Sequence, residues 1–305
     1  MRVFVTGATG FIGSAIVREL INSGHQVTGL ARSEASAAAL ALAGAEVHRG
    51  ALDDLDSLRS GAAAADGVVH TAYNHDFSNM AAAAEADRRA IETFGSVLEG
   101  SGRPLVIASG VMGLTPGRLA TERDGLDLTP ASSPRLATEH MALSFSARGV
   151  RSSAVRLAPT VHGEGDHGFV PRVISIARQK GVSAYIGDGA NRWPAVHRLD
   201  AAHLFCLALE SAPAGTPLHG VAEEGVAVRA IAEMIGRHLG VPLVSIKPED
   251  ASEHFGFLGA FLQVDGPASS TITREVMGWQ PKQPGLLEDL DQDHYYAAEV
   301  GSLTT

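Results

Sequence analysis

Three glycines spaced by three residues near the start of the chain constrain its fold more than any other feature. Gly7, Gly10 and Gly13 follow a β-branched and aromatic segment, Arg2 to Val5, which is typical of a buried strand. Apolar residues then recur at helical spacing from Ile12 to Ile21. A strand, a glycine turn and a helix in this order place backbone N–H groups against a pyrophosphate. The alternative is a plain turn between a strand and a helix that binds no ligand.

Each of these glycines has a predicted role in such a turn. Gly7 permits the tight turn itself, and Gly10 lets the backbone approach the phosphates. Gly13 lets the helix pack closely against the strand. The motif therefore predicts a dinucleotide-binding unit at the beginning of the sequence.

Composition and charge exclude several classes of partner. The 305 residues, 45% of them hydrophobic, predict one large or two modest domains with a sizeable core. A formal net charge of −10 argues against nucleic acid and against an anionic membrane surface. No apolar run approaches the length of a transmembrane helix, and no signal peptide is expected. The single cysteine, Cys206, leaves no internal disulfide, so we expect a cytoplasmic protein.

Strand-like and helix-like segments alternate as far as Leu157, which indicates an α/β fold with a doubly wound, parallel Rossmann sheet. Beyond that point glycine and proline become frequent, which indicates a smaller C-terminal α+β substrate domain. We expect residues 1–159, joined by 196–215, to form the dinucleotide-binding domain. Residues 160–195 and 216–305 are expected to form an interleaved substrate-binding domain.

Short motifs follow the glycine turn along most of the chain. They are Thr6-Gly-Ala-Thr-Gly-Phe-Ile-Gly13, Gly50-Ala-Leu-Asp-Asp54, His70-Thr-Ala72, Val106-Ile-Ala-Ser-Gly110, Arg156-Leu-Ala-Pro-Thr-Val-His-Gly163, Gly187-Asp-Gly189 and Val196-His-Arg-Leu-Asp200. In this order they resemble the extended or atypical short-chain dehydrogenases/reductases, which include nucleotide-sugar epimerases. The resemblance implies an NAD(P) cofactor and a small-molecule substrate. The helices predicted over Phe77 to Glu99 and Pro134 to Arg148 resemble those that form dimer interfaces in this group, which implies a homodimer.

The resemblance also implies which residues hold the cofactor. They are Gly7, Thr9, Gly10, Phe11, Ile12, Gly13, Ala51, Leu52, Thr71, Ala72, Tyr73, Ala108, Glu139, Pro159 and His162. The family usually has Asp where Ala51 stands, which leaves the adenine contacts to Leu52 and the backbone.

The end of the second strand indicates which dinucleotide is bound. An NAD site carries an acidic residue there to bind the ribose hydroxyls. In this chain Arg32 and Ser33 stand at that position, and no carboxylate occurs before Glu34. Arg32 can pair with a 2′-phosphate and Ser33 can donate beside it, which favours NADP(H) over NAD(H). The alternative is that Arg32 is a solvated residue at the start of the next helix.

The family's catalytic residues have only partial counterparts in this chain. The resemblance implies a Ser or Thr after the fifth strand, then Tyr and Lys one helical turn apart. Ser109 fits the first role, although a serine that lines the loop and only binds substrate is an equal alternative. In the register of the next helix, Arg135 takes the tyrosine's place and Glu139 takes the lysine's. The usual proton relay is therefore absent.

The substituted pair still has chemistry available to it. Arg135 and Glu139 are four residues apart and can form an ion pair on one helix face. Glu139 could accept hydrogen bonds from a ribose, and Arg135 could stabilise an oxyanion but not donate a proton. An ordinary surface ion pair is the alternative. Tyr73, just after the fourth strand, is a substitute acid, or else it packs against the cofactor or lines the cleft.

Three functions remain open from the sequence. We expect an NADP(H)-dependent oxidoreductase that acts on a small carbonyl or hydroxyl compound. A non-catalytic NADP(H) sensor and an epimerase or dehydratase are the alternatives. The segment His162-Gly-Glu-Gly-Asp-His167 is not expected to bind a metal, and His162 is interpreted as a substrate contact or proton shuttle.

Overall fold

The structure is a computed structural model that describes residues 1–74, 80–125 and 134–297. Its strands are β1 (Arg2–Thr6), β2 (Gln26–Ala31), β3 (Glu46–Arg49), β4 (Gly67–His70), β5 (Pro104–Gly110), β6 (Arg151–Leu157), β7 (Thr160–His162), β8 (Ser183–Ile186), β9 (Arg192–His197), β10 (Thr216–Gly220), β11 (Glu223–Ala227) and β12 (Leu243–Ile246).

The helices alternate with these strands as far as β6. They are α1 (Phe11–Asn22), α2 (Glu34–Leu42), α3 (Leu55–Ala64), α4 (Met80–Leu98), α5 (Pro134–Ser144), α6 (Phe169–Lys180), α7 (Arg198–Ser211), α8 (Val228–Leu239), α9 (Ala251–Phe255), α10 (Leu258–Phe261), α11 (Thr271–Met277) and α12 (Leu286–Leu290). The start predicted for the fourth helix, residues 77–79, lies outside the described residues. Within the described ranges, no helix is both long enough and apolar enough to cross a lipid bilayer.

The main sheet has seven parallel strands in the order β10-β6-β5-β4-β1-β2-β3. Successive strands build outward from β1 to one side, and the chain then crosses to β4 on the other side. This is the predicted doubly wound Rossmann sheet. Ligands of such sheets bind at the carboxyl ends of the strands, beside the point where the order reverses. In this protein that point lies between β1 and β4.

Strand β1 shows why the sheet is covered on both faces. Its inner residues Val3, Phe4 and Val5 are all fully buried, so the strand is a continuous apolar run. Val3 and Val5 share one core cluster with Ile16 of α1, whereas Phe4 shares another with Phe94 of α4. Because neighbouring side chains point to opposite faces, helices must pack on both sides of the sheet.

Strand β10 corrects part of the predicted division of the chain. Residues 216–305 were expected to belong to the substrate-binding domain, but Thr216–Gly220 pairs in parallel with β6 in the main sheet. Leu218, for example, lies opposite Val155 and is 1% exposed. A short apolar strand carries no local indication of its partner, so the sequence could not show this pairing. The division into two domains remains a prediction.

The remaining strands and helices form a second region with its own core. Its sheets have the orders β11-β9-β7 and β12-β8. Buried side chains from α6, β9, α8, α10 and α12 fill this core, among them Val170, Trp193, Ile231, Leu258 and Leu286. Because β7 follows β6 directly, the region adjoins the carboxyl edge of the main sheet. Helix α7 returns from it and packs beside α1.

Candidate functional site

The glycine turn has the close contacts that its three positions predict. Gly7 has φ +69°, and a Cβ there would lie 2.6 Å from the backbone nitrogen of Ala72. A Cβ on Gly13 would lie 1.9 Å from the carbonyl oxygen of Gly7, so no larger residue fits between helix and strand. Gly7 therefore needs glycine for its left-handed backbone, and Gly13 needs it for close packing.

The outer side of this turn is open at the N-terminus of α1. A Cβ on Gly10 would meet one described neighbour within 4 Å, the Gly7 carbonyl oxygen at 3.2 Å. Gly10 caps α1 without a side-chain hydrogen bond, and Thr9 and Gly10 are exposed. Phe11 and Ile12 are partly buried. The first N–H groups of a helix lack partners within it, so this turn fits a pyrophosphate group.

Replacing Gly13 with alanine is expected to lower the free energy of unfolding by about 1 to 3 kcal/mol. The reason is that the added Cβ would stand 1.9 Å from the Gly7 carbonyl oxygen. Urea denaturation followed by circular dichroism measures this loss. Gly266→Ala is the matched control, because its Cβ would have Val264 Cγ1 at 3.6 Å as its nearest neighbour. Equal effects of the two substitutions would contradict close packing at Gly13.

A buried chain of hydrogen bonds, which was not predicted from the sequence, lies beneath the turn. Thr6 Oγ1 lies 2.6 Å from His70 Nδ1, and His70 Nε2 lies 3.0 Å from Asp87 Oδ1. The Thr71 hydroxyl donates to the Thr6 carbonyl, and the Ala72 N–H donates to Thr6 Oγ1. These bonds tie the end of β4 to the glycine turn. A charged residue within the buried face of α4, Asp87, was the available signal.

The end of β2 carries an exposed arginine. Arg32 has no ion-pair or hydrogen-bond partner in the described part of the chain. Ser33 caps α2 by accepting from the Ser36 N–H, so its hydroxyl is already engaged in the helix turn. The Glu34 carboxylate is already paired, because Arg49 Nη2 lies 2.6 Å from it. Arg32 is therefore the charged group in this position that is available to a ligand.

The residues predicted to contact adenine follow β3. The Ala51 carbonyl accepts a hydrogen bond from the Asp54 N–H, which closes the turn before α3. Leu52 is partly buried against the core beneath α3 and α4. Their contact with adenine remains a prediction.

Two of the predicted catalytic side chains, Tyr73 and Arg135, contact each other at the carboxyl ends of β4 and β5. The Arg135 guanidinium lies over the Tyr73 ring, 4.1 Å from its centroid, and its Nη2 lies 3.4 Å from the Ala108 carbonyl oxygen. Ser109, the next residue of β5, is 5% exposed, and its side chain makes no hydrogen bond to another described residue. Arg135 thus joins two neighbouring strand ends on the edge where a Rossmann ligand binds.

Glu139 does not join this group, which corrects its predicted role. Its carboxylate Oε1 accepts from Arg156 Nε at 2.8 Å and from Arg156 Nη2 at 2.6 Å, and both side chains are fully buried. The predicted ion pair with Arg135 is therefore replaced by one with Arg156, and the contact of Glu139 with a ribose remains a prediction. Residue 139 lies one turn, or about 6 Å, further along α5 than residue 135. Because of this distance, the Glu139 side chain lies beside β6 and not at the strand ends.

Arg156 is the centre of a buried polar cluster that was not predicted from the sequence. Its Nη1 donates to the carbonyl oxygens of Glu122 and Asp124 and lies 3.4 Å from His219 Nε2. The Thr273 N–H and hydroxyl both donate to Glu122 Oε1 at 2.7 Å. Burial lowers the pKa of His219 to about 4. The cluster anchors the segment around Glu122 to β6 and β10.

His162 is also placed differently from its predicted role. It is 1% exposed, and its Nδ1 lies 2.9 Å from Asp289 Oδ2 of α12. Its ring packs edge-on against His197. The side chain therefore belongs to the interior of the second region and cannot reach a substrate or cofactor as it stands. Pro159, predicted to line the cofactor site, lies partly buried between β6 and β7.

The loop after His162 packs against the glycine turn. The Arg198 guanidinium lies 4.9 Å from the ring centroid of Phe11, and the His167 ring meets the same side chain at 5.7 Å. Arg198 also donates to the Glu164 carbonyl. Burial raises the pKa of Asp166 to about 6, and the Tyr295 hydroxyl donates to this carboxyl group. The loop therefore covers one side of the N-terminus of α1.

These features define a class of protein, the Rossmann-fold proteins of the short-chain dehydrogenase/reductase type. The sequence pattern of the NAD dependent epimerase/dehydratase family matches residues 3–219, and the chain belongs to that family. The match spans the main sheet as far as β10, including the glycine turn.

Relatives agree with this assignment. An uncharacterized protein of Schizosaccharomyces pombe is 52% identical over 297 residues, which cover 97% of this chain and 100% of that protein. The UDP-glucose 4-epimerase of Streptomyces lividans is 26% identical over 319 residues, covering 93% of each chain. The 2-alkyl-3-oxoalkanoate reductase of Stenotrophomonas maltophilia is 28% identical over 262 residues, covering 80% of this chain and 77% of that protein.

A solved structure shows the same fold. The UDP-glucose 4-epimerase of Thermus thermophilus, determined in complex with NAD, superposes with a TM-score of 0.75 at 21% identity. The superposition covers 98% of this chain and 100% of that one. At this level of identity the likeness concerns the fold.

Proposed function

We propose that the protein is an NADP(H)-dependent oxidoreductase that acts on a small carbonyl or hydroxyl compound. The observation that carries this proposal is the group formed by Tyr73, Ser109 and Arg135 at the ends of β4 and β5. The group lies on the same edge of the sheet as the glycine turn, where Rossmann proteins bind their ligands.

The residues around the turn fit a dinucleotide phosphate. The N-terminus of α1, opened by Gly10 and kept close to β1 by Gly13, would hold the pyrophosphate. Arg32 would hold the 2′-phosphate through charge-assisted hydrogen bonds. When bound, the nicotinamide gives or takes the hydride. Thr71, Ala72 and Ala108 would line the site between these two ends.

Arg135, Ser109 and Tyr73 would each have a separate role in the reaction. The Arg135 guanidinium would stabilise a substrate oxygen that gains negative charge. Ser109 would donate a hydrogen bond to the same oxygen. Tyr73 carries a phenol hydroxyl on the ring that the guanidinium covers, so it is the candidate for proton transfer.

The reductase of Stenotrophomonas maltophilia supports an oxidoreductase, whereas the epimerase of Streptomyces lividans supports the alternative of a sugar isomerase. A sensor that binds NADP(H) without turnover is the third candidate, favoured by the missing Tyr and Lys pair. The test is to incubate the protein with NADPH and a panel of aldehydes and ketones and to follow the loss of nicotinamide absorbance. Steady oxidation supports the proposal. Binding without turnover on the whole panel would favour the sensor.

Replacing Arg32 with alanine is expected to weaken NADPH binding about 10-fold to 100-fold, because a charge-assisted contact contributes about 1.5 to 3 kcal/mol. The affinity for NADH should remain unchanged. Calorimetric titration with each nucleotide measures the two constants. Arg59→Ala is the control, because Arg59 is an exposed arginine already paired with Asp56. An equal loss for both nucleotides would remove the argument for NADP(H).

We also propose a cytoplasmic location and a homodimer. The single cysteine supports a reducing compartment. Helices α4 and α5 pack side by side and correspond to the dimer helices implied by the family resemblance. Light scattering at several protein concentrations tests the oligomeric state.

A further inference from the structure

A second cluster of potential ligands lies at the opposite edge of the main sheet. It consists of His25, which precedes β2, and of Cys206 and Glu210, one turn apart on α7. Because the strands are parallel, a residue that precedes β2 lies at their amino ends, away from the glycine turn. The cluster is therefore independent of the proposed dinucleotide site.

The ligand atoms of these three residues already converge. His25 Nε2 lies 2.9 Å from Glu210 Oε1, and Cys206 Sγ lies 3.8 Å from the same oxygen. All three ligand atoms lie within 4.8 Å of one another. Sulfur, nitrogen and oxygen ligands of a tetrahedral zinc ion stand about 3.3 to 3.6 Å apart. Small side-chain movements would convert the present arrangement into zinc coordination.

Burial and charge at this position suit a cation. Cys206 is 3% exposed, and the His25 side chain is 8% exposed. The Glu210 carboxylate lies beside both ligand atoms. A divalent cation would bind the sulfur directly and neutralise the charge of this carboxylate.

We propose that His25, Cys206 and Glu210 form a binding site for one zinc ion. Imidazole, thiolate and carboxylate together are a ligand set that zinc prefers. Binding would displace the Cys206 thiol proton to solvent, and the Glu210 side chain, 41% exposed, would leave the fourth position open to water. The ion would connect the turn between α1 and β2 to α7.

The test titrates the full-length, untagged protein with Co²⁺, which replaces zinc in such sites and gives a thiolate-to-cobalt charge-transfer band. We expect the band to saturate at one Co²⁺ per chain and to disappear when Zn²⁺ is added. Cys206→Ala should abolish the band. His25→Gln and Glu210→Gln should weaken binding about 10-fold to 100-fold or more. Because Glu210 is exposed, its substitution keeps the fold intact.

His238→Gln is the matched control. His238 Nε2 lies 2.7 Å from Asp291 Oδ1, so this residue forms a similar histidine and carboxylate pair without a thiol. Its substitution should leave the cobalt band and the affinity unchanged. Absence of the band in the wild-type protein would overturn the proposal. So would an unchanged affinity in Cys206→Ala and Glu210→Gln, since the metal would then be bound elsewhere.

Discussion

Replacing Arg135 with alanine is expected to lower kcat for carbonyl reduction about 100-fold to 1,000-fold. The guanidinium lies over Tyr73 and near the carbonyl oxygen of Ala108, the residue before Ser109. The proposed role requires its charge only when negative charge develops on the substrate oxygen. The affinity for NADPH should therefore change little. Steady-state kinetics with the best carbonyl substrate, together with calorimetric titration of NADPH, separate the two effects.

Arg148→Ala is the control for this prediction. Arg148 also lies over an aromatic ring, 4.6 Å from the centroid of Phe145, but it pairs with Glu99 on the protein surface. Its loss should leave kcat unchanged. If Arg135→Ala keeps the wild-type kcat, the guanidinium does not act on the substrate, and the observation that carries the proposed function is lost. Arg135→Lys tests charge separately from shape, because lysine keeps the charge without the planar fork.

The largest effect on stability is expected from Glu139→Gln. This change leaves the Arg156 guanidinium fully buried without its carboxylate partner, which should lower the free energy of unfolding by about 3 to 5 kcal/mol. Urea denaturation measures the loss. A double variant in which leucine replaces Glu139 and methionine replaces Arg156 should recover part of it, because it removes both buried charges together.

The matched control is Glu233→Gln. The pair of Arg229 and Glu233 has side chains that are 53% and 43% exposed, so its loss should cost at most about 0.5 kcal/mol. The same variants also test the predicted contact between Glu139 and a ribose. Glu139→Gln could keep the wild-type free energy of unfolding but bind NADPH far more weakly. In that case the main role of the carboxylate is to bind the cofactor, and the ion pair with Arg156 contributes little to stability.

Much of the fold could be predicted because the decisive signals are local. The spacing of Gly7, Gly10 and Gly13 requires a close approach of helix, strand and ligand, and the structure has those contacts at Gly7 and Gly13. The alternation of apolar strands and helices as far as β6 likewise follows from the sequence period. The pairing of β10 with β6 could not be predicted, since it joins segments about 60 residues apart.

The candidate site divides in the same way. Tyr73 and Ser109 could be proposed because each follows a predicted strand, and parallel strands bring their carboxyl ends to one edge. The sequence did not predict the roles of Asp87, Arg156 and Glu122. Each of these residues forms hydrogen bonds with partners that are distant in the sequence. His162 was misplaced for the same reason, since its partner Asp289 lies 127 residues away.

The sequence by itself determined the Rossmann fold, the glycine turn and the family. These features depend on backbone geometry and hydrophobic periodicity, which are set by residues that are close together in the sequence. Only the tertiary structure determined where the side chains of Arg135 and Glu139 lie and which groups they contact. Both lie on one face of α5, but one helical turn separates them along its axis. Arg135 therefore reaches the open end of the sheet, whereas Glu139 meets a buried arginine that no local pattern connects to it.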